Sequence, residues 1–369
     1  MAPKRKPDDD DVGESTDEFA NPFDDTMGFA KPVYLVAMRD DDQAAAYSVL
    51  KIDAAAVAGN DEPPRVRAVA VLTTGTEPGM SFVTARSRHG SWIVGVGGGL
   101  RAGTIIFDPG TSRTFHGSRL GYPKHKPVLI SHGSKVYAIS GTPRVKPSMD
   151  CKPWFESLSF NDVSSYAVIG SHILISPQPE LVVGTYAFHV VNKIWEKIHD
   201  KNLPFVGQAV PLGGSLFAAC PISNTASTSA SVFHMSIKVS SSIPSLSIQE
   251  SKVMASEDKI TFPLFCPMGM GSFCCIRLAP SRSRHRQKTN CRRWRSPKTS
   301  CLKEVHVIST AFRMENIEAI MTHCQSQGSK AKDQLLTLQV KEQMHSCESK
   351  EILHGLLGSG MPVVAALSM

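Results

Sequence analysis

Three consecutive glycines, Gly97 to Gly99, stand between two apolar runs in SWIVGVGGGLRAGTIIF. Glycines so placed can cradle a phosphate, because backbone N–H groups reach an anion where no Cβ intervenes. A dinucleotide fingerprint, G-x-G-x-x-G, needs a further glycine where Leu100 stands, and a helix after the loop to present its N-terminal dipole. The chain continues instead with TIIF, β-branched and strand-like, and no Walker-type G-K-[ST] occurs. The glycines are therefore expected to turn between strands, or to let backbones crowd within a sheet.

The other reactive side chains give no constellation. The 13 histidines are dispersed without metal-ligand spacing, and neither H-E-x-x-H nor G-x-S-x-G is present. His89 and His132 each precede a Gly-Ser turn, which points to a repeated turn role, such as capping backbone groups. His125, in the basic, proline-containing GYPKHKP, belongs to a loop that could line a binding face. Of nine cysteines, Cys220, Cys274 and Cys275 sit inside apolar runs and read as small buried hydrophobes. No C-x-x-C pair occurs. No catalytic, cofactor-binding or metal-ligating residue is assigned, and a non-enzymatic role is expected.

The bulk properties are those of a globular, core-forming chain: 369 residues, 41% hydrophobic and 20% charged. No apolar run approaches the roughly 18 residues needed to cross a bilayer as a helix. The opening MAPKRKPDDDD lacks the apolar stretch of a secretory signal. A cytoplasmic or nuclear location is expected, with PKRK (Pro3 to Lys6) as a candidate import patch.

The net charge of +7 conceals two local extremes. Residues 1–28 hold nine acids and three bases and too few apolar residues to offset ordering entropy, so a disordered acidic tail is expected there. Residues 281–303 hold nine bases and no acids. The surrounding segment, 279–303, reads as a mobile basic loop interrupting the fold. Arginine-rich tracts with an aromatic, here Trp294, can neutralise phosphates and stack on bases. A nuclear nucleic-acid-associated protein using residues 281–298 is thus the alternative reading, although no folded module presents them.

Between these extremes the chain is a succession of short strand-like runs. They are VYLVAM (33–38), VRAVAVL (66–72), SFVTAR (81–86), SWIVGVG (91–97), TIIFD (104–108), KPVLIS (126–131), KVYAIS (135–140), SYAVIG (165–170), HILIS (172–176), TYAFHVV (185–191), SVFHMSIKV (231–239) and VHVIST (305–310). Their length and spacing argue an all-β sandwich, barrel or propeller. Five times an apolar strand, a glycine turn and a second apolar strand recur, at Gly90, Gly133, Gly170, Gly214 and Gly271. Tight hairpins need positive φ, which a Cβ penalises. Intervals of 43, 37, 44 and 57 residues match the length of a propeller blade. Trp92, Trp154 and Trp195 are expected in blade cores. Only NDVS separates PWFESLSF from SSYAVIG, which leaves room for a thin blade and raises the possibility of a shortened or oddly spliced product.

Here the chain resembles the kelch family of β-propellers. Gly97–Gly98 match the glycine doublet of that motif, Phe107-Asp108-Pro109 its turn, and Phe115 its closing tryptophan. In a second unit Phe188 and Trp195 match and His189 replaces the aspartate. FDPGTSRTFHG with KPVLISHGSKVYAIS is similar to a set of uncharacterised grass kelch-like or F-box-associated proteins. The resemblance implies an all-β, kelch-like β-propeller of six or seven blades, some degenerate, over residues 29–345. It implies a monomeric scaffold holding protein partners on one face, in the manner of a ubiquitin-ligase substrate receptor. Residues 1–29 offer no F-box, and neither nucleic acid nor membrane is expected as a partner. Copper radical oxidases use a kelch-like platform too, but the six tyrosines fall mostly inside strand patterns and no cofactor is implied. Residues 346–369 form either a tail or a closing segment. The strand at 33–38 is expected to pair with a late strand such as QLLTLQV (334–340), closing the ring.

Overall fold

A computed structural model describes residues 31–39, 45–52, 66–73, 79–87, 90–98, 103–120, 124–140, 163–177, 182–222, 229–240, 243–255, 264–269, 271–280, 305–317, 338–347 and 363–369. The acidic tail, the basic segment 281–303 and the PWFESLSF region lie outside them.

The fold is all-β, made of antiparallel meanders. The first contains β1 (Val33–Arg39), β2 (Ala46–Ile52) and β3 (Val66–Thr73). The second contains β4 (Met80–Ser87), β5 (Gly90–Gly97), β6 (Gly103–Asp108) and β7 (Arg113–Gly117). The third has β8 (Val128–His132) and β9 (Lys135–Ile139). The fourth has β10 (Val163–Ile169), β11 (His172–Pro177), β12 (Thr185–His189) and β13 (Ile194–His199). The fifth has β14 (Phe205–Gly213), β15 (Leu216–Pro221), β16 (Ser229–Ser240) and β17 (Ile243–Ala255). The sixth has β18 (Leu264–Gly269), β19 (Ser272–Pro280), β20 (Val305–Met314) and β21 (Leu338–Cys347). The last strand, β22 (Val363–Ser368), returns to the first meander and pairs antiparallel with β1.

A two-residue parallel bridge, Ser165 to Gly207 and Tyr166 to Gln208, joins β10 to β14 and fuses the fourth and fifth meanders into one eight-stranded sheet. Its end strands, β13 and β17, lie against each other, so this sheet is nearly closed on itself.

The hairpin glycines adopt the backbone their position demands. Gly133, Gly170 and Gly214 have φ of 57°, 53° and 54°, whereas the serine after each has a negative φ. That is the type II′ pattern, whose twist suits a two-residue hairpin. The same backbone bond then recurs. Val190 N–H donates to the Ser171 carbonyl, Met235 N–H to Ser215 and Met314 N–H to Gly271, at 2.9, 2.8 and 2.8 Å. Each ties a third strand to the turn between the first two.

The meanders have apolar residues on both faces, which explains why β1 reads as a continuous buried run rather than an alternation. Among the described residues the core divides into six clusters, each filled by two consecutive meanders. Tyr47 and Val49 of the first meander meet Phe82 and Phe107 of the second. Val94 meets Leu129, and Ile130 meets Ile173. Leu174 meets Phe233, and Leu216 meets Phe312. Cys274 and Val307 of the sixth meander meet Leu35 and Val363 of the first. The leading strands touch in the same circuit: β22 with β4, β4 with β8, β8 with β10, β10 with β14, β14 with β18, and β18 with β22.

One expectation is overturned. The partner of β1 is β22, in register Val33 to Ser368 and Tyr34 to Leu367, not residues 334–340. Leu338–Val340 instead begin β21, the outermost strand of the sixth meander, where Val340 is exposed.

Candidate functional site

Because consecutive strands alternate in direction, the connections fall into two groups. Turns between first and second strands, and between third and fourth, lie at one end, called lower here. Connections between second and third strands, and between meanders, lie at the upper end.

The upper end is fastened by backbone and side-chain bonds. The buried phenol oxygen of Tyr47 accepts the N–H groups of Gly79 (3.0 Å) and Met80 (2.9 Å). The Gly79 carbonyl accepts from Gly98 (3.2 Å) and Lys126 (2.7 Å). A Cβ on Gly97, whose φ is 115°, would lie 2.8 Å from that carbonyl oxygen and 2.8 Å from Pro127 Cδ. Gly97 therefore serves close backbone approach, and the chain continues into β6 with no helix. The ring of His125 covers Gly79. Tyr47→Phe would leave two buried N–H groups without their acceptor. It is expected to cost about 2–4 kcal/mol, read as a lower urea midpoint with an unchanged slope.

Further round, Asn202 Oδ1 accepts the N–H groups of Val183 (3.3 Å) and Gly184 (2.9 Å). The Thr185 hydroxyl donates to the Lys201 carbonyl at 2.8 Å, and Ser176 Oγ accepts from Leu203 N–H at 3.0 Å. Ile222 N–H donates to the Pro204 carbonyl at 2.9 Å. This frame holds four exposed aliphatic side chains at one end of adjacent meanders: Val182 (77% exposed), Val183, Val206 and Ile222 (38%). Lys124, Lys126 and Lys201 belong to the same end, and partial burial lowers the pKa of Lys124. Fixed backbone, protruding aliphatics and ammonium groups can hold a peptide without covalent chemistry.

The residues weighed from sequence are scattered over the fold. His132 is half-buried at the end of β8 and pairs with Lys135, whereas His89 lies outside the described residues. Tyr34 and Tyr47 are buried in the second core cluster, and burial pushes the Tyr166 phenol up to about 12. Trp195 is half-buried and packs on Phe188 at 5.0 Å between centroids. Trp92 is half-buried on β5, and Trp154 lies outside the described residues. Phe115, matched to the motif's closing tryptophan, occupies the outermost strand of its meander and is 51% exposed.

The sequence did not single out the His172–His189 pair, whose rings stand edge to face at 4.6 Å across β11 and β12. Burial first, then the charge of His189, lowers the pKa of His172, against the pull of Glu196. Among the described residues no group of three or more His, Cys, Asp or Glu side chains could hold a metal.

Cys220, Cys266, Cys274 and Cys275 are free thiols, the last three buried. Burial pushes Cys220 up to about 11 and Cys275 up to about 12. A hydrogen bond with Cys266, followed by burial, raises Cys274. Thiolate is the reactive form, so iodoacetamide at pH 8 is expected to leave Cys266, Cys274 and Cys275 unmodified until denaturant is added, as mass spectrometry of the alkylated peptides would show.

No described helix is long and apolar enough to cross a membrane. The sequence matches the family described as "Protein of unknown function (DUF1668)" over residues 30–162 and 147–344. No curated protein matches it.

Proposed function

The chain belongs to the DUF1668 family of proteins of unknown function, and on that premise we propose that it is a six-bladed β-propeller acting as a non-enzymatic protein-interaction scaffold. The observation that carries this reading is the circuit of core clusters, in which the sixth meander packs back on the first. Sheets too small to be stable alone gain their stability by leaning on two neighbours, and β22 supplies the leading strand of the first blade. Such a body leaves two rigid ends whose connections vary freely, which suits recognition of a protein segment.

The upper end is the proposed recognition surface, because it combines exposed Val182, Val183 and Ile222 with a hydrogen-bonded frame. Proximity labelling in the native cell, comparing the natural chain with Val182→Asp/Val183→Asp/Ile222→Asp, tests it. The proposal expects specific partners to fall at least tenfold in the variant at equal abundance and unchanged melting temperature. An identical partner set in both would refute it. A receptor role in a ubiquitin ligase is the narrower form, and it requires co-purification with a cullin adaptor.

A further inference from the structure

Among the described residues the lower end is dominated by cations. Exposed Arg86 and Lys135 stand at the ends of β4 and β9 nearest the circuit of leading strands, and exposed Arg113, Lys193 and Arg313 stand farther out. Half-buried Lys31 precedes β1 at the same end, and its pKa is lowered by burial and then by the charge of Arg86. Only two described acids, Asp108 and Glu315, share these turns. The Asp108 carboxylate is already engaged by the Thr111 hydroxyl (2.7 Å) and the Gly110 N–H (2.9 Å). Glu315 accepts from the Gln339 side chain.

The chain's most acidic stretch is tethered to this end. Residues 1–28, with nine acids and three bases, run into Lys31 and Val33, and Val33 pairs with Ser368 at the lower turns. Twenty-eight extended residues reach roughly 90–100 Å, ample to cross a domain of this size. A short tether keeps such a segment at an effective concentration on the order of millimolar. Opposite charges at this density attract with several kT, a force that salt screens.

We propose that the acidic segment 1–28 lies across the cationic lower end of its own fold and shields it from other acidic chains. The inference does not depend on the recognition surface proposed for the upper end. It concerns the opposite end and is tested without a partner.

The test uses the full chain and a zero-length carbodiimide, which joins a carboxylate to a lysine amine only where the two meet. An equal mixture of isotopically light and heavy protein separates links within a chain from links between copies. At about 50 mM salt the expected links run within one chain, from Asp8–Asp11, Glu14, Asp17 or Glu18 to Lys135 and Lys193. Raising salt to about 0.5 M, where the screening length shrinks to a few ångströms, should cut them at least tenfold. Replacing Asp8, Asp9, Asp10 and Asp11 by Asn should do the same without altering the melting temperature. Links chiefly to Lys124, Lys126 or Lys201, links mainly between copies, no tail links at all, or links indifferent to salt would each overturn the proposal. A mainly intermolecular result would assign the lower end to a second copy instead.

Discussion

A chain ending at Gly360 is expected to lose its cooperative unfolding transition and to accumulate as aggregate. The missing strand, β22, supplies Val363 and Ala366 to the cluster shared with the sixth meander, and Ala365 and Leu367 to the cluster shared with the second. Burial of two full-sized aliphatics and two alanines contributes about 5 kcal/mol, against a total domain stability of only about 5–15 kcal/mol. The deletion also uncovers the edge of β1, a seven-residue run, VYLVAMR, of which five residues are buried. An unpaired apolar edge of this kind templates association between chains. Calorimetry and sedimentation report both effects. The milder Leu367→Ala should retain the transition at a stability about 2–3 kcal/mol lower.

Phe312→Ala is the point substitution expected to cost most, about 3–5 kcal/mol. Phe312 is fully buried and stacks on equally buried Phe273, with centroids 4.6 Å apart and planes 12° from parallel. The pair fills the cluster where β20 and β19 face Val210, Leu212 and Leu216 of the fifth meander. Removing one ring leaves a cavity between two sheets that are each held by neighbours on their far sides, so collapse into it is limited. Urea denaturation should show a lower midpoint with an unchanged slope. A loss below about 1 kcal/mol would mean that the fifth and sixth meanders are not packed through this cluster.

The sequence made some parts of this fold legible because local chemistry demanded them. The hairpins at Gly133, Gly170 and Gly214 could be located because only glycine adopts the φ of 53–57° that their turns require at no cost. β5 and β11 were equally plain, since strands buried on both faces carry unbroken apolar runs. Outer and closing strands were less plain. β17, IPSLSIQESKVMA, is largely polar because it is the last strand of its meander, held by pairing along β16. β22, VVAALS, is short and alanine-rich, a composition that signals little by itself. Small side chains at 365 and 366 suit a leading strand squeezed between two sheets. The run LLTLQV therefore looked the better partner for β1, although its Val340 faces outward on β21.

The candidate site was hardly legible. Val182, Val183 and Ile222 are ordinary residues, and only the fold brings them to one end. His125 was noticed in the sequence as part of a loop, but its packing over Gly79 depends on a contact between residues 46 apart in the chain.

The central claim is that six meanders lean on one another in a closed circuit with β22 between β18 and β4. An electron-density map viewed down the circuit tests it most directly. Six sheets around one axis, with residues 363–368 hydrogen-bonded to 33–37, is the result the account requires. A map with residues 363–368 detached, with β1 paired to 334–340, or with two flat stacked layers would contradict it.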